Sequence, residues 1–422
     1  MKIKTFALMI LISALLCSCG DIPAAGALLR ARSGYTVYYV GASAFGTAAR
    51  RKELRGVWIS QFDMHPVYRA GSRQRDETDY REKVDIMLGN LVRDGFNTLF
   101  LQVRPNGDSM YESGLYPCSK YVAGSYGGNI EYDAVGIFLE LAKARGLAVH
   151  AWINPYRLCR KEEMEEYGGD CILKEWYSVP GRRIKEGEDG LLYLDPSYPE
   201  ATELIAAGAA EILQKYDFDG IHIDDYFYPT EFGFDDGYEF EQSGYSDLGE
   251  FRRANVNRTV KALYETAHRY GKVFGIAPSG NIYSLENGWY ADIYRWCGES
   301  GYADYIMPQL YFGFLNLCCP FETVLADWCE ATGGGPVLYI GLSAAKCAAG
   351  SRGEPDIYAG EAGRFEWRDS KDVIARSVSA VRSSEACGFC LFCYTSLYDP
   401  VTGEANPLIA EEKSAFAELI SG

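Results

Sequence analysis

Two adjacent carboxylates close the run Asp219-Gly220-Ile221-His222-Ile223-Asp224-Asp225-Tyr226. A buried carboxylate is costly unless it is paired or put to use, and a doublet compounds that cost. Like charges this close push one carboxyl's pKa upward, which keeps it a usable acid near neutral pH. The chemistry indicated is general acid–base or charge-stabilising catalysis by Asp224 and Asp225. The plainer reading has one Asp capping the next turn and the other paired with Arg104 or Arg157. That reading suits a single Asp better than a doublet set among other polar residues.

Those other residues end further apolar runs: Gln61 and Asp63, then Gln102 to Asp108, His150 to Arg157, Pro308 to Tyr311, and Tyr394 with Ser396. Arg104, Asn154 and Gln309 are suited to hydrogen-bond a polyhydroxylated ligand or to orient the acids. Tyr226, Tyr311 and Trp152 are suited to cover the apolar face of such a ligand, with Tyr156 and Asp108 beside them. His150 and His222 lie inside strands and read as satisfied core histidines, with His222 as a possible support for Asp224.

Positioning these residues requires a scaffold, and the alternation of apolar runs with amphipathic segments supplies one. Strands are expected at 55–61, 97–103, 148–154, 220–226, 273–278, 305–311, 337–342 and 388–394. Most are apolar almost throughout, as parallel strands buried on both faces must be. Helices are expected at about 79–94, 131–145, 198–216, 247–270, 289–300, 321–332, 371–385 and 408–420. Several end before a glycine that leads into the next strand, as in Asp94-Gly95-Phe96 and Arg145-Gly146-Leu147. Eight such units predict a (β/α)8 TIM barrel. An open doubly wound sheet is the alternative, but no dinucleotide fingerprint follows the first strand. Segments after strands are long (104–130, 155–197, 227–246), which places a deep site at the C-terminal end of the barrel.

The chain has 422 residues and a formal net charge of −17, which disfavours nucleic acid as a partner. It carries 32 Tyr, 20 Phe and 7 Trp, a supply of flat amphipathic rings suited to sugar-binding clefts or simply to a large core. Lys2 and Lys4 precede an apolar run, Phe6 to Leu16, too short to span a bilayer comfortably. Leu16-Cys17-Ser18-Cys19 then resembles a bacterial lipoprotein signal with Cys19 as the lipidated residue; an ordinary cleaved signal peptide is the rival. Residues 1–19 are therefore read as signal, 20–50 as tether and 51–422 as the barrel, exported and held to the membrane by lipid. Cys390 and Cys393 lie three apart on an expected strand and so on opposite faces. With only four His no zinc constellation emerges, and neither a metal nor a cofactor is expected.

Seven segments in this order resemble the glycosyl hydrolase-like 10 family: LRGVWIS at 54–60, FNTLFLQVRPNGDSMYES at 96–113, HAWINPYR at 150–157, LYLDPSYPE at 192–200, DGIHIDDYFYP at 219–229, FGIAPSGN at 274–281 and DYIMPQLYF at 304–312. The chain departs from the family at Ala277 with Ser279, where Ser and Phe are usual, and at Cys118, where Trp is expected. The resemblance implies a barrel, export and glycan hydrolysis, with bacterial cell-wall glycan among the substrates. Two mechanisms remain open. In one, the acetamide of an N-acetylated sugar attacks its own anomeric carbon while Asp224 steadies it and Asp225 protonates the leaving oxygen. In the other, Asp224 is the nucleophile and Asp108 or Glu112 the acid. The first fits better the lack of an acid at the end of strand five. A non-catalytic glycan-binding lipoprotein is the rival from another class, and a structural envelope protein a weaker one.

Overall fold

In a computed structural model of the chain, residues 52–168, 171–180, 182–224, 227–229 and 233–420 are described. The barrel strands are β1 (Leu54–Ile59), β2 (Thr98–Arg104), β3 (Ala148–Ile153), β4 (Gly220–Ile223), β5 (Val273–Ile276), β6 (Tyr305–Ile306), β7 in two pieces (Val337–Leu338 and Ile340–Ser343) and β8 (Gly388–Phe392). All pair in parallel, each beside its neighbour in sequence, with β8 returning to β1. The first piece of β7 pairs with β6 and the second with β8, and Gln309 bridges to Gly341, which closes the ring. The chain is thus the expected TIM barrel.

Around it stand α1 (Glu77–Arg93), α2 (Ala134–Lys143), α3 (Pro199–Lys215), α4 (Leu248–Arg269), α5 (Ile293–Gly298), α6 (Phe321–Thr332), α7 (Val373–Arg382) and α8 (Ala410–Ile420). Their starts are written locally: Asp76, Asp133 and Asp247 each accept a hydrogen bond from a backbone N–H in the first helical turn. Their ends are local too: Gly95, Gly146 and Gly271 follow helices at positive φ, where a side chain would be strained.

Side chains alternate across each strand. Outward residues such as Leu99, Val149 and Ile221 join the large core against the helices. Inward ones, Trp58, Phe100, Trp152, Tyr305, Met307 and Cys390, form a separate cluster inside the barrel. Gly275 makes room for this filling, since a Cβ there would fall 1.8 Å from the Tyr305 ring.

Several strands stop before the sequence predicts. β4 stops at Ile223, β5 at Ile276 and β6 at Ile306. Pro155, Pro278 and Pro308 follow the ends of β3, β5 and β6, and proline offers no N–H to extend a ladder. β1 also stops early, because Ser60 and Asp63 form a capping box and Gln61 opens a helix, Gln61–Tyr68. The long segment after β3 holds an unforeseen antiparallel sheet of Arg157–Arg160, Leu191–Leu194 and Ile184–Glu186, with Leu191–Leu194 in the middle. The proposed signal and tether lie outside the described residues.

Candidate active site

Asp224 is the first residue beyond β4 and is buried, at 6% exposure. Its neighbour across the ladder is Asn154, the first residue beyond β3, and the Asn154 side chain donates Nδ2–H to Asp224 Oδ1 at 2.6 Å. Asn154 Oδ1 in turn accepts from Gln102 Nε2 at 2.6 Å, and Gln102 Oε1 accepts from the backbone N–H of Gln61 at 2.9 Å. Four consecutive strand ends are thereby linked side by side. All three side chains are buried.

Below this line the barrel holds a second polar chain. Trp58 Nε1–H donates to His222 Nε2 at 3.0 Å, and the Tyr305 hydroxyl lies 3.0 Å from both His222 Nδ1 and His150 Nδ1. The indole can only donate, which leaves the His222 proton on Nδ1, facing the Tyr305 oxygen. The Tyr305 O–H then donates to His150 Nδ1. Burial lowers the His150 pKa to about 4 and that of His222 well below its ordinary value. Both are neutral core histidines, as their strand positions predict. Trp152 pairs in register with His222 and is nearly buried, and its Nε1 has no hydrogen-bond partner among the described residues.

At the same end of the barrel, Gln309 donates Nε2–H to the Ala277 carbonyl at 2.9 Å and is bridged to Ser279 and Gly341. The Tyr311 ring stands 5.9 Å from the Phe392 ring. Gln309 and Tyr311 are thus at the β6 end, two strands round the barrel from Asp224, and Ala277 joins the two sides, its own N–H donating to the Ile223 carbonyl at 2.7 Å. Asp63 is fully buried, and it ties the first strand–helix turn to the last by accepting from the N–H groups of Ser60 and Thr395 at 2.6 and 2.8 Å. Burial raises its pKa against the hydrogen bonds that lower it.

Other expected ligand contacts are placed elsewhere. The β2–β3 ladder skips Val103, so that Gln102 pairs with Trp152 and Arg104 with Ile153. The extra residue turns Arg104 to the outer face of the barrel. There its guanidinium stacks on the Tyr116 ring at 4.6 Å and lies where a Cβ on Gly208 of α3 would be. Arg104 is 1% exposed, and neither terminal nitrogen has a hydrogen-bond partner among the described residues. Tyr156 is also turned out of the mouth and buried; its hydroxyl faces Thr259, Arg258 and Asp195, and burial lifts its pKa to about 12. Asp108 is fully buried, accepts from the Asn106 N–H at 2.8 Å, and has its pKa raised by burial against the lowering effects of Ser119 and Arg157. Glu112 is exposed, and its carbonyl accepts from Lys215 at the C-terminal end of α3. Since α3 leads down to the start of β4, Glu112 sits at the wrong end of the barrel to be the acid.

Asp225, Tyr226 and Cys19 lie outside the described residues. Gln102 was not singled out from the sequence as a site residue. Its signal was its two-residue spacing from inward-facing Phe100 at the end of an otherwise apolar strand. Among the described residues no group of three or more His, Cys, Asp or Glu is placed to hold a metal ion. Cys390 faces the barrel interior, whereas Cys393 lies past the strand end beside Thr395 and Ser396.

The family model described as glycosyl hydrolase-like 10 matches residues 53–358. The chain is 32% identical over 328 residues to glycosyl hydrolase YngK of Bacillus subtilis, an alignment covering 70% of this chain and 61% of that relative. It therefore spans less than two thirds of that protein's length. It is 27% identical over 395 residues to glycosyl hydrolase DigH of Escherichia coli, covering 84% of this chain and 86% of the relative. Among solved structures, the PgaB (BpsB) glycoside hydrolase domain from Bordetella bronchiseptica superposes with a TM-score of 0.52 at 12% identity, covering 87% of this chain and 99% of that one. The catalytic domain of β-amylase from Paenibacillus polymyxa gives the same score and identity, covering 87% and 98%. At that identity the likeness concerns the fold.

Proposed function

The chain belongs to the glycosyl hydrolase-like 10 family, and on that footing we propose that it hydrolyses O-glycosyl bonds of an envelope or extracellular glycan with Asp224 and Asp225 as its working acids. The observation that carries the reading is the buried Asn154–Asp224 hydrogen bond at the C-terminal mouth of the barrel. Catalytic groups of this fold gather at that face, and an acid held by a neighbouring amide is already oriented before a ligand arrives. The relatives named as glycosyl hydrolases support the same class of reaction.

The substrate proposed is an N-acetylated glycan such as peptidoglycan strands. The acetamide carbonyl oxygen attacks the anomeric carbon as the bond to the leaving oxygen breaks. Asp225 gives its proton to that oxygen. Asp224 accepts the acetamide N–H and stabilises the positive charge that forms there. Water, deprotonated by Asp225, then attacks the anomeric carbon, breaks its bond to the acetamide oxygen, and returns to Asp225 the proton it gave up. Gln309 and Tyr311, at the β6 end of the same mouth, are read as further ligand contacts, and Arg104, stacked on Tyr116, as bracing the wall. Export and a lipid anchor at Cys19 complete the proposal.

The test is mass spectrometry of digests of several purified glycans, peptide-free peptidoglycan strands included, with the wild type and with Asp224→Asn and Asp225→Asn. Cleavage confined to N-acetylated glycans, inhibited by a thiazoline mimic and nearly lost in both variants, is the expected result. Full activity in both variants defeats the assignment. Binding without cleavage by the wild type makes the protein a glycan receptor instead.

A further inference from the structure

We propose that the backbone N–H of Gln61 fixes the direction of an amide relay, through Gln102 and Asn154, that reserves Asp224 Oδ1 as a hydrogen-bond acceptor and leaves any proton of Asp224 to Oδ2; this rests on reading Asp224 as a working acid. A side-chain amide presents an oxygen and an NH2 that can exchange places, so a row of amides has two possible directions. A backbone N–H has no such freedom and can only donate. Gln61 N–H lies 2.9 Å from Gln102, so Gln102 must present Oε1 to it and its NH2 to Asn154, 2.6 Å away. Asn154 must then present Oδ1 to Gln102 and its NH2 to Asp224, again at 2.6 Å.

The opposite direction fails at one place only. A proton on Asp224 Oδ1 would donate to Asn154 Oδ1, turn both amides over, and bring the Gln102 NH2 against the Gln61 N–H. Two donors would then face each other in a buried site with no acceptor between them. The helix Gln61–Tyr68 holds the deciding N–H in place, since the Ser60–Asp63 capping box sets its first turn and Asp63 is itself tied to Thr395. Gln61 and Gln102 are therefore positioning residues. They act on Asp224 through Asn154, and what they fix is the acceptor role of its Oδ1.

The full chain, labelled with 13Cγ-aspartate, allows the Asp224 carboxyl to be titrated by NMR, with its signal assigned by its loss in Asp224→Asn. Gln61→Pro deletes the deciding N–H at the first helical position, where proline is accepted, after a Ser60 already extended at φ −83 and ψ 169. Gln61→Ala keeps the N–H and removes only the side chain. Gln102→Met interrupts the relay without adding charge. Gln61→Pro and Gln102→Met should each raise the Asp224 midpoint by about 0.3 pH unit, the factor of two added when an Oδ1-protonated form of similar energy becomes allowed. Gln61→Ala should keep the wild-type midpoint, and the double variant should move it no further than either single one, since both cut one chain. A wild-type midpoint in a folded Gln61→Pro protein overturns the proposal, as do additive shifts in the double variant. Should Gln61→Pro not fold, an unchanged midpoint in Gln102→Met overturns it equally. The titration needs no turnover, so a wild type that cleaves no glycan defeats the proposed function without deciding this outcome.

Discussion

Asn154 and Asp224 each stand one residue past the last rung that joins β3 to β4, where Ile153 pairs with Ile223, and the 2.6 Å hydrogen bond between them continues the ladder with side chains in place of backbone. The carboxylate is thereby fixed in orientation by the barrel itself rather than by a mobile loop. Asn154 is the residue whose removal should separate orientation from folding.

Asn154→Ala should lower kcat by about two to three orders of magnitude, the usual cost of losing one preorganised donor at a site of developing charge. KM on the cleaved glycan should change little, and the melting temperature by only a few degrees. Steady-state kinetics with a thermal melt measures both. A folded variant with wild-type kcat would show that Asp224 needs no orienting amide.

Arg104 has the opposite signature. Packed between Tyr116 and Gly208, it should matter to stability and not to turnover. Arg104→Ala should cost about 2–4 kcal/mol through lost packing, with kcat/KM within a few-fold of wild type. Gly208→Ala should also destabilise, by driving a methyl into the guanidinium and to 2.6 Å from the Tyr116 ring, and should cost less in an Arg104→Ala background, where only the ring clash remains. Denaturant melts of the two single variants and the double variant check this. A selective loss of kcat/KM in Arg104→Ala would return Arg104 to the ligand site.

The buried histidines predict an acid-sensitive fold. As pH falls through about 6.5, an unfolded-state histidine takes a proton, while His150 resists until about 4 and His222 until lower still. The unfolded state then binds more protons, so stability drops with falling pH across that window, by about 1.4 kcal/mol per pH unit for each histidine. His150→Gln, which keeps an acceptor for the Tyr305 hydroxyl, should remove about half of that slope. Unfolding free energies from pH 7 to 4.5 measure it; a variant slope equal to wild type would contradict the neutral assignment of His150.

If Cys19 carries the anchor, Cys19→Ala should release the protein from the membrane fraction, because the acyl chains on that residue supply the membrane affinity. Fractionation of cells expressing both forms tests this. Membrane association that survives the substitution excludes lipidation at Cys19 as the cause.

The sequence by itself determined the number and order of the strands, the helices between them, and the position of Asp224 at a strand end. These are local matters: apolar runs, helix-stopping glycines and acidic caps act within a few residues, and eight repeats of one unit admit few closures. The end of β4 before Asp225 was not determined locally, because it depends on where the ladders of neighbouring strands stop. Tertiary structure alone decided the rest. Skipping Val103 reversed the face of Arg104, and a period of two read along β2 gives no sign of a skipped residue in its pairing with β3. The segment after β2 carries Glu112 down to the far end of α3, a path set by contacts about a hundred residues distant, such as Gly114 with Glu211. Gln102 acquired its place only when β1 and β3 flanked β2 and brought Gln61 and Asn154 within hydrogen-bond reach on either side. A side chain's partners across a barrel are fixed by pairing between strands, and that information lies in no single segment of the chain.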